Sequence, residues 1–363
     1  MYRGTVTMDT RQTTDLLTQV CRQIQRTVQN VRQELGRSPK LCFAGAARTG
    51  KSLLFTTLFG RPATEVSSET AHAKARWGVS ASFPIDDLPG YGTVGGQGEE
   101  ERALTAMRES DLTVLIVTAT SPPTMVERGL YDHLIRLNKP CILAVNKMDL
   151  VSKEQLEDLL ERIRENFNLG RTPAVPVSAV EGTNLVSLCH TIYNSLTTDL
   201  RLPFIRSLRH LTAKGSLVNK LILGAVIAAG SIGFGLNPLP SDFFALAPLQ
   251  ISLVVRVGEA YGYHITPGLA KEFLMVSGLV SGAGLGFREL FRRLPVAGPF
   301  VSAGIAASGT FTIGLAAKYY FASGRRMSPR KAARLALTHR PDWGKQGPDV
   351  NVRAEWGKDA EAS

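Results

Sequence analysis

Short apolar runs alternate with amphipathic stretches along the first two hundred residues. The runs are four to seven residues long and predict strands over 40–44, 81–85, 112–118, 141–145 and 174–177. Between them, apolar residues at spacings of three and four predict helices over 51–59, 99–109, 126–137, 152–167 and 184–196. Ser152 and Gln155 form a candidate capping box. This alternation predicts an α/β domain over 39–200, with a mostly parallel sheet between helices.

One amphipathic helix is predicted ahead of this domain, within residues 1–38. Its apolar positions recur at spacings of three and four and are Leu17, Val20, Ile24, Val28, Val31 and Leu35. We expect this apolar face to pack on the α/β domain. A partner protein or a second copy of the chain is the alternative.

The chain changes character after residue 200. Residues 221–241 and 294–317 carry no charge, and as helices they extend to ~31 and ~36 Å, enough to cross a hydrocarbon layer of ~30 Å. Two shorter apolar runs lie between them, and small residues in these segments favour close helix contact. The pattern predicts an all-α, membrane-embedded domain over 201–324, with a soluble bundle as the alternative. The composition of residues 325–363 predicts a basic, polar, disordered tail.

Charge is divided unevenly between the two parts. The formal net charge is +11; residues 1–200 hold 22 basic and 22 acidic residues, so the excess lies after residue 200. These charges flank the uncharged runs, which favours an anionic membrane and argues against nucleic acid as the partner. Basic residues beside both long runs predict that both ends face the cytosol. We expect the inner membrane of a bacterium, with the α/β domain and the tail cytoplasmic.

A phosphate-binding loop is predicted between the first strand and the first helix of the α/β domain. Its residues are Gly45, Ala46, Ala47, Arg48, Thr49, Gly50, Lys51 and Ser52. In such a loop the glycines permit a tight turn, and backbone N–H groups at the helix start bind the α- and β-phosphates. Lys51 is expected at the β- and γ-phosphates and Ser52 at Mg²⁺.

Three further motifs follow in the order that a guanine-nucleotide switch requires. Asp87 is expected to hold Mg²⁺ through water, and the Gly90 N–H to sense the γ-phosphate. Asn146 and Asp149, in the run Asn146-Lys147-Met148-Asp149, are expected to read the guanine edge, where a carboxylate rejects adenine. Ser178-Ala179 is expected to place an N–H on the guanine oxygen. The four motifs together predict binding of GTP and GDP with Mg²⁺.

The residues for hydrolysis are less clearly marked. Thr70 is the preferred second protein ligand of Mg²⁺, with Thr64 as the alternative. Tyr91 stands where a catalytic glutamine would follow the second motif, which predicts slow intrinsic turnover. Arg48 is a candidate for an arginine that acts in cis on the phosphates, the alternative being a solvated side chain. His72 and Gln97 are weaker candidates for positioning water.

Residues 40–197 resemble the Era-like branch of translation-factor-type small GTPases, through Asp87-Leu88-Pro89-Gly90 followed by an aromatic residue. The run from Gly45 to Ser52 is similar to the phosphate loop of guanylate-binding proteins and atlastins. That likeness implies that Arg48 acts when two such domains dimerise. Residues 217–321 resemble the membrane-associated domain of YcjF-type bacterial proteins, through Pro238-Leu239-Pro240-Ser241-Asp242, Gln250, Tyr261-Gly262 and the region 294–298.

These observations predict a membrane-associated GTPase that acts as a nucleotide-dependent switch. Turnover is expected to be slow unless a partner or dimerisation activates it. The expected partners are GTP, membrane lipid, a protein effector and a second copy bound through the α/β domain, with no nucleic acid. A GTP-binding membrane scaffold with negligible hydrolysis and a nucleotide-gated transport component are the alternatives.

Overall fold

A computed structural model describes residues 10–46, 48–60, 104–235, 242–270, 272–273 and 298–338. These residues fall into two compact units, divided after Glu34 and after Leu217. The first is an α/β unit, which begins at Leu35. The second is a helical unit, which combines the N-terminal helix with the chain beyond Val218.

The α/β unit is built on a four-stranded parallel sheet. Its strands are β1 (Leu41–Ala44), β2 (Leu112–Thr118), β3 (Cys141–Asn146) and β4 (Ala174–Pro176), and they lie side by side in chain order. Buried parallel strands are apolar along their whole length because both faces are covered, and β2 shows this in a run from Leu112 to Val117. The predicted parallel sheet is confirmed, although the strand expected over 81–85 lies outside the described residues.

Four helices of the α/β unit begin within one residue of their predicted starts, and the last of its helices was not predicted. They are α2 (Lys51–Phe59), α3 (Met125–Arg136), α4 (Lys153–Phe167), α5 (Leu185–Ser195) and α6 (Thr198–Ser207), with a helical stretch over 104–109. The capping box at α4 is confirmed, since Gln155 N–H donates to Ser152 Oγ and Ser152 N–H donates to the Gln155 side chain. Thr124 and Glu127 form a second capping box at α3, which the sequence analysis did not identify.

The α/β unit extends further than the boundary expected at residue 200. Helix α6 and the first turns of α7 (Leu211–Gly235) belong to it. The N–H groups of Arg209 and His210 both donate to Leu58 O at the end of α2, at 2.8 and 3.2 Å. These bonds fix the connector between α6 and α7 to the α/β unit.

A buried lysine lies in this connector region. Lys214 is 6% exposed and donates to Arg206 O. Burial, together with the nearby charges of Arg209 and Arg206, lowers the pKa of Lys214 from 10.5 to about 8. The folded chain therefore releases this proton at lower pH than the unfolded chain does, so folding is penalised below pH 8.

We expect the free energy of unfolding to rise between about pH 8 and pH 10, by at most ~3 kcal/mol. Lys214→Met should remove most of that rise, because no proton is then released on folding at this position. Urea unfolding at a series of pH values measures it. Lys153→Met, at an exposed lysine of α4, is the matched control and should keep the wild-type slope. Equal slopes in the wild type and the Lys214 variant would contradict the prediction.

The helical unit contains α1 (Thr10–Glu34), most of α7, α8 (Asp242–Ala260), α9 (Gly298–Ala322) and α10 (Pro329–Thr338), with a short helical stretch from residue 267. The predicted helical character of the region after residue 200 is confirmed for the described residues. Helix α10 lies within the segment expected to be disordered, so that expectation was wrong for 329–338. Three alanines give α10 a narrow buried face on α9: Ala332, Ala333 and Ala336.

Helix α1 packs along α8 within the helical unit, whereas its apolar face was expected to pack on the α/β domain. Ile24, Val28 and Val31 are buried, as their spacing predicts. Arg256 of α8 forms an ion pair with Glu34 at 2.6 Å, and Arg32 donates to Ile265 O at 3.2 Å. The amphipathic pattern marked the buried face but did not specify which helix would cover it.

Helices α7 and α9 run antiparallel in close contact. Asn219 accepts a hydrogen bond from Lys318 at 2.8 Å, whereas Gly233, at the opposite end of α7, lies against Ser302. A Cβ on Gly233 would lie 2.9 Å from Ser302 O and 2.8 Å from Ala306 Cβ, so only glycine permits this approach. The expected role of small residues in close helix contact is confirmed at this position.

One helix of the described part of the chain is long and apolar enough to cross a bilayer. It covers residues 211–234, and 28% of its most apolar 18-residue stretch is buried. Residues 294–297, the start of the second long uncharged run, lie outside the described residues. The same holds for residues 236–241, the end of the first long uncharged run, and for most of the second of the two shorter apolar runs.

Candidate nucleotide-binding site

The loop between β1 and α2 has a backbone that requires glycine at two positions. Gly45 has φ +153°, and a Cβ there would lie closer than 3.0 Å to Ile116 O of β2. Gly50 has φ +88°, and a Cβ there would collide with the Asn146 amide. The loop therefore lies directly against the ends of β2 and β3, where a side chain would block it.

Helix α2 begins without a side-chain cap. Its N-cap residue is Gly50, which supplies no side-chain acceptor, and its first turn holds no acidic residue. The first turn of a helix carries backbone N–H groups and the positive end of the helix dipole, and both favour an anion. Such a helix start, following a glycine-containing loop after a buried strand, is suited to phosphate.

Lys51 and Thr49 fold back over the loop. Lys51 is 4% exposed, and its ammonium group donates to Ala46 O at 2.7 Å. The Thr49 hydroxyl donates to the same carbonyl at 3.0 Å. A buried ammonium group in the loop places positive charge where phosphate oxygens would lie.

Arg48 lies at the crest of the loop, and its side chain is exposed. Its backbone has φ +62°, a left-handed conformation that costs a non-glycine residue roughly 1–2 kcal/mol. Backbone strain of this kind is concentrated at functional sites. The observed geometry holds the guanidinium outward from the loop.

Asn146 connects three of the predicted motifs. Its side-chain N–H donates to Thr49 O at 2.8 Å, and its Oδ1 accepts from the Ala179 N–H at 3.0 Å. Asn146 is 2% exposed, so both amide groups are satisfied inside the protein. The sequence analysis assigned Asn146 and the Ala179 N–H to the base. That assignment stays a prediction, and in the structure the two groups also bind each other and brace the loop.

Asp149 differs from Asn146 in having a buried acceptor without a donor. Among the described residues, Asp149 Oδ1 has no hydrogen-bond partner. The residue lies in a 3₁₀ turn (Met148–Leu150), held in place by the Met148 N–H bond to Val177 O at 3.2 Å. A buried carboxylate oxygen is strongly destabilised unless a donor reaches it, and the guanine edge offers two N–H donors. The site therefore fits a guanine base.

The remaining polar groups of the base region are occupied by the protein. Ser178 is buried, and its hydroxyl accepts from the Glu181 N–H at 3.1 Å. Ser178 N–H donates to Thr183 O, and the Gly182 N–H donates to Ser178 O. Lys147 has φ +65° and precedes the turn that carries Asp149. Ser178 thus closes a tight loop that positions Ala179.

Several predicted site residues lie outside the described residues: Ala47, Thr64, Thr70, His72, Asp87, Gly90, Tyr91 and Gln97. Of the expected Mg²⁺ ligands the structure therefore describes Ser52 alone, in the first turn of α2 with an exposed side chain. No cluster of three or more His, Cys, Asp or Glu side chains suitable for a metal occurs in the described part of the chain. A hydroxyl at this position fits a Mg²⁺ ion that takes its other ligands from phosphate and water.

The cysteines of the α/β unit are structural. Burial raises the pKa of Cys42, Cys141 and Cys189 to about 12. These thiols are therefore protonated at neutral pH and unsuited to nucleophilic or metal chemistry. This agrees with the packing role expected for Cys42 and Cys141.

Comparison with known proteins identifies the family to which the α/β unit is similar. The model of the elongation factor Tu GTP-binding domain matches residues 14–198, just over half of the 363-residue chain. GTPase Der of Lactobacillus acidophilus is 30% identical over 199 residues, which are 51% of this chain and 44% of that protein. The "Probable GTP-binding protein EngB" of Anaeromyxobacter is 30% identical over 173 residues, 42% of this chain and 80% of that protein.

A structure of Era from Aquifex aeolicus bound to GDP and AlF₄⁻ matches with a TM-score of 0.34 and 22% identity. It covers 51% of this chain and 66% of that one. The chain spans about half the length of the GTPase Der proteins it matches. The family match coincides with the loop, the brace at Asn146 and the carboxylate at Asp149. The chain belongs to the family of the elongation factor Tu GTP-binding domain.

Proposed function

We propose that this chain is a membrane-associated GTPase that binds GTP with Mg²⁺ and acts as a nucleotide-dependent switch. The observation that carries the nucleotide assignment is the buried Asp149 Oδ1, which has no hydrogen-bond partner among the described residues and follows Asn146, the residue that braces the loop, by three positions. Family membership supports the same assignment.

Different described residues bind the phosphates and the base of the nucleotide. The first turn of α2 and the Lys51 ammonium group supply positive charge to the phosphates, and Asp149 accepts from the base. Mg²⁺, when bound, neutralises charge on the β- and γ-phosphates, and Ser52 would be one of its ligands. Asn146 has a positioning role, since its amide holds the loop and the Ala179 segment together.

Titration calorimetry of the full chain with GTP, GDP and ATP in the presence of Mg²⁺ tests the nucleotide assignment. We expect micromolar or tighter affinity for GTP and GDP and at least ~100-fold weaker affinity for ATP, because adenine lacks the donors that Asp149 needs. Comparable affinity for ATP, with the protein folded, would contradict the guanine assignment.

Hydrolysis is expected to be slow in the isolated chain and faster on dimerisation or with a partner. The exposed, left-handed Arg48 supports this proposal, since its guanidinium is positioned at the outer surface of the loop. A guanidinium that reaches the phosphates in the transition state offsets charge developing there. The same exposure is compatible with action in cis or on the nucleotide of a second copy.

Arg48→Ala should lower kcat by about 10-fold or more, with GTP affinity changed less than about twofold. Phosphate release measured across protein concentrations checks this. Arg136→Ala, at an exposed arginine of α3, is the control and should retain wild-type turnover. Rising specific activity with concentration supports activation by dimerisation. Unaltered turnover in the Arg48 variant would remove the proposed role, and flat, negligible activity in the wild type would favour a GTP-binding scaffold.

Membrane association is supported by the apolar helix α7 and by the excess of basic charge after residue 200. We place the protein at the inner membrane of a bacterium, with the α/β unit in the cytoplasm and lipid, not nucleic acid, as its anionic partner. Co-sedimentation of the full chain with phospholipid vesicles tests this, and recovery of all protein in the supernatant would contradict it.

A further inference from the structure

The outward side of α7 carries a line of exposed apolar side chains. Leu223, Ile227 and Phe234 are 47, 63 and 52% exposed, and their spacings of four and seven residues place them on one side of the helix. Phe300 of α9 is 70% exposed, and its ring meets that of Phe234 edge-on at 5.3 Å between centroids. We refer to these four residues as the apolar stripe. Exposed large apolar groups that cluster in this way mark an interaction site.

The apolar stripe is long enough to bind along a membrane surface. Leu223 and Phe234 are eleven positions apart, which is ~16 Å along the helix at ~1.5 Å per residue. With α7 in the plane of the membrane, the stripe places one side of the helix roughly 5–10 Å deep among the acyl chains, as interfacial helices do.

The α1 side of the helical unit is polar. Helix α1 packs along α8, and its side chains facing away from the buried Ile24 and Val28 are exposed: Arg22, Gln25, Arg26 and Gln29. Surrounding the whole unit with hydrocarbon would bury these groups, and each arginine alone costs roughly 2.5–3.5 kcal/mol at the centre of a membrane. The arrangement therefore favours lipid on one side only.

Helix α10 of the helical unit carries a basic surface. On α10, Arg330, Lys331 and Arg334 are exposed opposite the alanine face that packs on α9. Arg325 and Arg326 precede them, and no acidic residue occurs between 325 and 341. Helix α10 follows the end of α9, whereas Phe300 lies near its start, so the cations are separated from the aromatic end of the stripe. We refer to the three exposed cations of α10 as the basic face.

We propose that the helical unit docks on one leaflet of an anionic phospholipid bilayer, with the apolar stripe among the acyl chains and the basic face at the headgroups. This inference rests on the proposed membrane association and specifies its side, depth and lipid class. It replaces a spanning hairpin with contact on one side. Charge complementarity supports anionic lipid, since each Lys or Arg near such a surface contributes about 1 kcal/mol.

Environment-sensitive dyes on single cysteines in the full chain test the side and the depth. Cys21 and the half-buried Cys141 are replaced by serine, and the buried Cys42 and Cys189 remain in place. Dyes are attached to Ile227→Cys and Phe300→Cys in the apolar stripe, and to Gln29→Cys on α1 as the matched control. With vesicles of phosphatidylcholine and phosphatidylglycerol, we expect blue-shifted emission and quenching by brominated lipids at the two stripe positions and no response at Gln29.

Charge reversal tests the lipid class. Arg330→Glu combined with Arg334→Glu should weaken binding to the anionic vesicles by at least ~10-fold at low salt. Arg136→Glu combined with Arg171→Glu makes the same change of net charge on the α/β unit and should leave binding within about twofold of the wild type.

The outcomes separate this inference from the proposal on which it rests. A response at Gln29 equal to that at Ile227 would indicate embedding on all sides and overturn it, with membrane association intact. A blue shift at Ile227 without vesicles, together with a dimer in sedimentation, would assign the stripe to a second copy and also overturn it. An α10 charge-reversal variant that binds vesicles as the wild type does, but loses binding to a single-stranded RNA oligonucleotide, would assign the basic face to nucleic acid and also overturn it. Failure of the wild type to bind any vesicle, with GTP affinity intact, would remove the membrane proposal itself.

Discussion

Asp149→Asn is expected to reduce GTP affinity by ~10²–10³-fold while leaving the fold intact. The carboxylate oxygen Oδ1 is buried and has no hydrogen-bond partner among the described residues, so its replacement breaks no described intramolecular bond. With guanine present, however, an amide would turn a donor toward the guanine amine. Two donors would then face each other in a buried site, which is why the predicted loss is large.

Xanthosine triphosphate provides the informative comparison. Its ring carries a carbonyl where guanine carries the amine, so an asparagine at position 149 can donate to it. We expect the variant to bind this nucleotide at least as tightly as it binds GTP, and the wild type to prefer GTP. Calorimetric titration of both proteins with both nucleotides measures this change in nucleotide preference.

The control makes the same chemical change on the protein surface. Asp158→Asn removes an exposed carboxylate of α4 that pairs with Arg162, and we expect GTP affinity to stay within about twofold of the wild type. If Asp149→Asn leaves the ratio of GTP to ATP affinity unaltered, the carboxylate does not read the base. The guanine assignment would then have to be withdrawn.

Local signals were sufficient for much of the α/β unit. The strand over 112–118 and the helix over 51–59 have the bounds expected from their apolar patterns, and the capping box at Ser152 forms as its spacing predicts. In each case the residues that decide the structure are neighbours in the chain. Motif spacing likewise located the loop from Gly45 to Ser52 at a strand-to-helix junction, because that motif is itself a local structure.

Contacts between distant residues could not be predicted in this way. The Asn146 amide joins Thr49 and Ala179, which lie 97 and 33 residues away in the chain, and nothing in the sequence indicated this brace. The ion pair between Glu34 and Arg256 spans 222 residues. A single sequence indicates that a side chain is polar or that a face is apolar. The sequence does not reveal which distant group binds that side chain or covers that face.

The same limit explains the two corrections in the helical part. The apolar face of α1 was recognised from its spacing, yet its partner is α8, which is more than two hundred residues away. Residues 329–338 are rich in charge and were expected to be disordered, but three alanines on one side suffice to dock α10 on α9. Overall composition describes a segment's average, whereas packing depends on one face of it.

Asn146 and Gly45 together show why the loop tolerates little variation. Asn146 fixes the far side of the loop by a buried hydrogen bond to Thr49 O and is itself held by the Ala179 N–H. Gly45, the first residue of the loop, lies against the carbonyl of Ile116. Register places Ala44 beside Leu115, so Gly45 continues the line of β1 next to β2 where the sheet leaves no room for a side chain. The position of the phosphate loop thus depends on the backbone contact between Gly45 and Ile116, at the end of the pairing of β1 with β2.

Gly45→Ala should therefore destabilise the protein by about 3 kcal/mol or more and abolish measurable GTP binding. The added Cβ would collide with Ile116 O, a backbone atom that cannot rotate away, and alanine is strained at φ +153°. Gly129→Ala is the matched control. Gly129 lies within α3 with no atom within 4 Å of an added Cβ, so alanine should stabilise the protein by roughly 0.5–1 kcal/mol and leave GTP affinity unchanged. Thermal unfolding and calorimetric titration of both variants measure these effects. A Gly45 variant that melts with the wild type and binds GTP normally would show that the loop does not approach β2 as closely as described, and the account of the phosphate site would fail with it.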